Sequence, residues 1–150
     1  MIIRTYDDFQ DYLNHERVWR IKDVTSLYGL THKKTVSNHG YIFRALIPAI
    51  YAHWEGYVKN STEKYLEFIS YQRVPISEIR LCFVSLYLTH KFSKEIGESR
   101  FDRLGTAIEH YEKDGVVCKI PHKNIINTQS NLSSKVFSNI CTGVGINPNT

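Results

Sequence analysis

Long apolar runs are missing from this chain. No stretch of about 18 apolar residues occurs among its 150 positions, which excludes a transmembrane helix, and no membrane partner is expected. The opening MIIRTYDDFQDYL carries Asp7 and Asp8 and lacks the apolar centre of a signal peptide, so the cytoplasm is the expected address. Cysteine is scarce: Cys82, Cys118 and Cys141 are odd in number, far apart and free of any CxxC or Cys/His cluster. That argues against a disulfide framework and a structural zinc site, and free, mostly buried thiols are expected. A Walker loop, a Rossmann glycine fingerprint, HExxH and a nucleophile elbow are absent as well, so the sequence calls for no metal and no cofactor. The late GVGINP has two glycines, but its proline makes it a helix exit and not a phosphate cradle.

Charge of one sign is also in short supply. The net charge is +4, with ten Lys/Arg against eight Asp/Glu in residues 1–75 and nine against seven in residues 76–150, so each half is +2. Such a spread balance permits nucleic-acid binding without demonstrating it. Internal repeats, low-complexity tracts and interdomain linkers are not found, and residues 1–150 read as one helical domain. The final GVGINPNT reads either as a junction toward a C-terminal continuation or as a frayed terminus.

What is abundant is helical periodicity. Phe9, Leu13, Glu16, Arg20, Val24 and Leu27 mark a first helix, widened by Tyr12, Trp19 and Ile21, with Asp7 or Asp8 as its cap and Gly29 as its stop. A second helix is expected from about Tyr41 to Ser70, with Pro48 inside it, before YQRVP breaks the chain. A third starts at an N-cap Ser77 and runs to about Ile96, and a fourth spans about Glu98 to Lys113 and ends at Gly115. VVCKIPHKNI reads as a short strand or an extended loop. A last short helix, capped by Asn131 or Ser130, places Leu132, Val136 and Ile140 at i+4 spacing before Gly143. The fold class is therefore all-α, an antiparallel bundle of four to five helices.

The second helix holds the densest stretch, IPAIYAHWEGYVKN. Ala45, Ala49, Ala52 and Gly56 form a small-residue stripe that lets another helix approach closely. Leu46, Ile50, His53 and Tyr57 form a second stripe, and Ile47, Trp54 and Val58 a third, so nearly the whole girth is apolar, as in a central helix surrounded by neighbours. The exception is the stripe of Arg44, Pro48, Tyr51, Glu55 and Lys59. Glu55 and Lys59 are i,i+4 partners, which reads either as a plain helix salt bridge or as polar groups of a site. His53 and Glu55 point about 200° apart on the wheel and cannot act as one acid–base pair.

One further pairing has chemical content. In RLGTAIEH, Arg103 and His110 lie seven positions apart and project from one helix face, about 10 Å apart along the axis. A permanently charged guanidinium can hold a phosphate, and an imidazole can move a proton near neutral pH. Metal-free RNA cleavage needs that combination, although two solvated surface residues would look the same. The ten tyrosines can stack on bases, and core packing explains them equally well.

The segment RALIPAIYAHWEGYVKNSTEKYLEFIS resembles the HEPN superfamily of small α-helical domains, in the branch called MAE_28990/MAE_18760-like HEPN. The later NTQSNLSSKVFSNICTGVGI, an asparagine-led short helix with a Gly-Ile exit, is similar to that branch too. The resemblance implies an antiparallel helical bundle, usually dimeric, and many such proteins are metal-independent RNA endoribonucleases of toxin–antitoxin or antiviral defence systems. Their shared signature is an arginine, four to six intervening residues and a histidine. Arg103 and His110 fit that spacing, although the residue after the arginine is commonly polar and here is Leu104. The branch would also place its signature after the GVGI exit, where this sequence ends. The resemblance thus implies RNA as substrate, a homodimer, an antitoxin or effector protein as partner, and Arg44, Glu55 and Lys59 as polar support. The alternative is a non-catalytic helical module that dimerises or binds a partner.

Overall fold

The computed structural model describes residues 2–32, 39–93, 115–129 and 132–149, together with Gly105 and Glu109. Its helices are α1 (Tyr6–Thr31), α2 (His39–Tyr71), α3 (Leu81–Ser93) and α4 (Ser134–Gly143). Among the described residues the only β-type pairing is an isolated bridge, so the all-α class holds. The helix expected over 98–113 falls outside the described residues, apart from Gly105 and Glu109, which are helical.

α1 begins two residues earlier than an Asp7 cap, and three earlier than an Asp8 cap, would start it. Thr5 is the N-cap: its hydroxyl accepts from the Asp8 amide at 3.1 Å, and Asp8 returns a carboxylate to the Thr5 amide at 3.0 Å, a reciprocal capping box. These backbone and hydroxyl bonds hold the Asp8 carboxyl below its ordinary value. Nor does Gly29 stop the helix. α1 runs on to Thr31, and the His32 amide bonds back to the carbonyls of Gly29 and Leu30.

From His53 onward α2 packs antiparallel against α1. Gln72 Nε2 reaches the Arg4 carbonyl at 3.1 Å, Phe9 stacks on Phe68, Asn60 meets Glu16, and His53 meets Trp19. These contacts sit on the α1 positions that the periodicity marks as inward, except that Ile21 is exposed. α2 continues through Pro48 and is longer at both ends than the sequence reading.

Beyond α2, Arg73 turns the chain in the left-handed region (φ 52°), and Pro75 bridges Val117. The Ile76 amide donates to Val116 O at 2.7 Å, while the amides of Glu78 and Ile79 bond back to Pro75 O. This corrects the start of α3. Ser77 is not its N-cap, because the bridge draws buried Ile76 into the core, and the chain turns once more before helix begins at Leu81. VVCKIPHKNI is accordingly extended loop with a single bridge.

The main core gathers Leu66 of α2, Phe83 and Val84 of α3, Cys118, Ile120 and Ile126 of the loop, and Val144 after α4. Each fully buried side chain of this size contributes about 1.5–3 kcal/mol relative to exposure. Cys118 and Cys141 are buried free thiols and Cys82 is half-buried, as the sequence reading has it.

α4 is capped by Ser133, whose hydroxyl accepts from the Val136 amide at 3.3 Å, in place of the expected Asn131 or Ser130. Its end confirms the helix-exit reading of GVGI. Ile146 N–H bonds to Cys141 O at 2.8 Å and Gly145 N–H to Thr142 O at 3.0 Å, with Gly145 at φ 75°. A Cβ there would stand 2.9 Å from Cys82 Sγ, and the Gly145 carbonyl accepts from Arg80 Nη1 at 2.7 Å. That bond ties the exit to the start of α3.

Candidate functional site

The stripe of Arg44, Pro48, Tyr51, Glu55 and Lys59 is the face of α2 that the sequence singles out, and in the structure its middle is a docking track. One turn apart, Tyr51 and Glu55 hold the segment that leads to α4. The Leu132 amide donates to the Tyr51 hydroxyl, and the Thr128 hydroxyl donates to Glu55 Oε1. Leu132 is buried beside them, and Trp54 packs against Phe137 of α4 with ring centroids 5.4 Å apart.

The Glu55–Lys59 salt bridge, one of the two readings of that pair, is not formed. Both side chains are half-buried on the same face, but the Glu55 carboxylate turns to Thr128 of the neighbouring segment. An i,i+4 pair is worth only a few tenths of a kcal/mol, so one hydrogen bond to a docked segment outweighs it. Arg44 is exposed, with its guanidinium 6.0 Å from the Tyr41 ring centroid. It stands eleven residues before Glu55, about 16 Å along the helix, so the structure does not bring the two together. Arg103 and His110 lie outside the described residues.

The reading of a fully surrounded α2 needs correction in its first half. Residues 55–70 include no exposed position, whereas Phe43, Ile47, Ile50 and Trp54 are exposed, Ile47 at 70%. These four follow i, i+4, i+7 and i+11, one stripe of the helix. Val18, Ile21 and Tyr28 of α1 are exposed at comparable spacing. Between the helices lies a cleft of about 300 Å³ lined by Ile21, Val24, His53, Trp54 and Tyr57, with Arg17 beside them. The wheel shows where side chains point, but it cannot show how far the neighbouring helices extend.

The most developed polar cluster is one that the sequence reading counted only as helix markers. Glu16, buried on the inner face of α1, accepts from Arg20 Nη2 at 2.8 Å, Asn60 Nδ2 at 3.2 Å and Trp19 Nε1 at 3.4 Å. Arg20 Nη1 also donates to the His53 carbonyl at 3.2 Å, and the guanidinium lies 4.3 Å from the Trp19 ring centroid. Burial pushes the Glu16 carboxyl up. The hydrogen bonds from Arg20, Asn60 and Trp19, with the Arg20 charge, outweigh it and leave the group below its ordinary value.

This pair gives Gly56 its reason. A Cβ on Gly56 would meet Arg20 Nη1 at 2.9 Å, so the glycine makes room for a guanidinium and not for a helix backbone. Farther along, Lys64 pairs with buried Glu67 at 2.6 Å and lies 5.5 Å from the Tyr12 ring centroid. Burial, with Glu16, Glu63 and Glu67 nearby, pushes the Tyr12 phenol up to about 12 against the opposing pull of Arg20. The signal for the cluster was present: Glu16 and Arg20, i,i+4 and oppositely charged, stand in an otherwise apolar inward phase. His53 and Glu55 do diverge, His53 toward Trp19 of α1 and Glu55 toward Thr128.

No curated protein and no solved structure gives a significant match to this chain. A family model described as HEPN_MAE_28990-like HEPN, however, matches residues 9–149. That span runs from the first turns of α1, through the packed hairpin with α2, to the Gly145 exit of α4. With the helical architecture and the match covering nearly the whole sequence, the chain belongs to the MAE_28990-like branch of the HEPN superfamily.

Proposed function

We propose that this chain is a metal-independent RNA endoribonuclease domain that acts as a homodimer in a toxin or antiviral defence setting. The observation that carries the reading is the family match over residues 9–149, which contains RLGTAIEH with Arg103 and His110. In this reading His110 takes the proton of a ribose 2′-hydroxyl as its oxygen attacks the adjacent phosphorus. Arg103 holds the phosphoryl oxygens as negative charge builds on them. The 5′-oxygen leaves as it takes a proton from water, His110 gives its proton back to solvent, and the products are a 2′,3′-cyclic phosphate and a 5′-hydroxyl. Glu55 supports the site by holding Thr128, while Arg44 and Lys59 offer positive charge to the RNA backbone from the same stripe of α2. The whole chain serves as one helical domain, with an antitoxin or effector protein as its regulator.

Labelled single-stranded RNA incubated in excess EDTA tests this. Cleavage by the wild-type chain and its loss in both Arg103→Ala and His110→Ala are expected. Wild-type cleavage rates in His110→Ala would rule out that histidine.

A second reading, a non-catalytic module that dimerises or binds a partner, is favoured by the exposed apolar stripe of Phe43, Ile47, Ile50 and Trp54. A chain that cleaves no RNA but forms a dimer by light scattering, and that falls to monomer on Ile47→Lys, would favour it over the first.

A further inference from the structure

Two exposed apolar stripes, one on α1 and one on α2, meet at the cleft between these helices. Ile21 and Trp54 line the cleft from either side, and both are also exposed, at 56% and 44%. Trp54 is the last member of the α2 stripe that holds Phe43, Ile47 and Ile50, so that stripe joins the cleft. From Phe43 to Trp54 it covers eleven positions, about 16 Å or three helical turns. Val18 and Tyr28, three residues before Ile21 and seven after it, continue the α1 stripe on the same face. A single exposed isoleucine would need no explanation, but a contiguous apolar run marks an interaction surface. An apolar groove with anchors at helical spacing on its walls is the form that receives another helix.

The charge offered by this face has one sign. Arg17 lines the cleft, is exposed, and has no hydrogen bond or ion pair among the described residues. Arg44, three residues before Ile47, is exposed beside the α2 stripe. The carboxylates nearest in sequence are turned to other tasks or other directions. Glu16 is engaged by Arg20, and Glu55 accepts from the Thr128 hydroxyl. Asp23 is two residues from Ile21, which puts it about 200° around α1.

Apolar anchors edged only by cations complement an amphipathic helix whose flanks are acidic. They do not complement themselves. A two-fold dimer through this face would set the same patch against its copy, with Arg17 and Arg44 on both sides and no acid to meet them. The face suits RNA poorly as well, because Ile21, Ile47 and Ile50 offer neither charge for a phosphate nor a ring for a base.

We propose that this cleft and the stripe that joins it dock an amphipathic helix with acidic flanks, carried by a different protein; the inference rests on the protein partner of the reading above and not on the nuclease chemistry. Its test reads binding in place of cleavage, so that the two can fail separately. A displayed library of helices, with leucine fixed at i, i+3, i+4 and i+7 and the polar positions randomised among Glu, Lys, Gln and Ser, is selected on the full chain. Glu should be enriched over Lys. The selected helix is then labelled and titrated by fluorescence anisotropy. Ile21→Ser and Ile47→Ser, at exposed positions where folding is checked by thermal unfolding, should each weaken binding about tenfold or more. Arg17→Glu should weaken it similarly and should favour a version of the helix with Lys in place of Glu. No enrichment, enrichment of Lys, or binding that these three substitutions leave unchanged would overturn the docking site. A wild-type dimer dissolved by Ile21→Ser or Ile47→Ser would give the face to a second copy, and RNA binding lost on Ile21→Ser would give it to RNA; either would overturn the proposal too. RNA cleavage with no helix binding would refute this inference alone. Helix binding without cleavage would refute only the nuclease reading.

Discussion

Gly56→Ala offers a sharp test of the polar cluster between α1 and α2, because two opposing effects have known sizes. In a helix interior, alanine is favoured over glycine by about 1 kcal/mol. Here the new Cβ would stand 2.9 Å from Arg20 Nη1. The tip of an arginine normally moves aside cheaply, but this one is held by Glu16 at 2.8 Å, by the His53 carbonyl at 3.2 Å and by the Trp19 face. Displacing it weakens a charged hydrogen bond worth about 1.5–3 kcal/mol, so Gly56→Ala should destabilise the chain by roughly 0.5–2 kcal/mol.

Arg20→Ala alone leaves the Glu16 carboxylate buried without its cation and should cost about 3 kcal/mol or more. In that background Gly56→Ala meets no obstacle and should stabilise by about 1 kcal/mol, so the sign of the alanine effect reverses. Urea unfolding of the four proteins at neutral pH, compared at constant m-value, reads the cycle. If Gly56→Ala stabilises the wild-type chain as much as it does the Arg20→Ala chain, the guanidinium is not pinned over Gly56 and the argument fails. A pH arm checks the same pair. The folded Glu16 carboxyl lies below its ordinary value of 4.5, so its contribution is fully present above that pH and is lost as pH falls through the folded value. The gap between wild type and Arg20→Ala should therefore narrow below pH 4.5.

Two further outcomes follow from contacts elsewhere. Tyr51→Phe deprives the Leu132 amide of its acceptor next to a buried side chain, at a cost of about 1–3 kcal/mol; amide exchange should quicken over 128–137 and not in α1, and unchanged exchange there would contradict the docking role. Burial pushes the Cys118 thiol up to about 11, so iodoacetamide at about pH 8 should leave Cys118 unmodified in the folded chain and label it in concentrated urea. Labelling of native Cys118 at the unfolded rate would contradict its burial.

The elements themselves were readable because helix formation follows a local repeat. Phe9, Leu13, Glu16, Arg20 and Val24 announce α1 and its inward phase, and they meet α2 as that phase requires. The helix ends were less readable. Thr5 caps in place of Asp7 or Asp8, and Ser133 in place of Asn131 or Ser130, because several neighbouring residues can cap equally well and backbone geometry chooses. α3 begins late for a different reason: the Ile76 amide is claimed by Val116, forty residues away in the chain.

What the amino-acid sequence determined by itself is the all-α class, the run of long helices with their inward faces, the GVGI exit and membership of the HEPN superfamily. Each of these is written in neighbouring residues or in a linear motif. What only the tertiary structure decided is the partner of each polar group. Glu55 takes Thr128 and not Lys59, Glu16 gathers Arg20 with Asn60 and Trp19, and Gly56 yields its space to a guanidinium. The tertiary structure also decided that Phe43, Ile47, Ile50 and Trp54 stay uncovered while the polar half of α2 lies inside. A helical wheel gives directions around one axis, and hydrogen bonds and burial depend on what stands across from them, which residues far apart in the sequence supply only once the chain is packed.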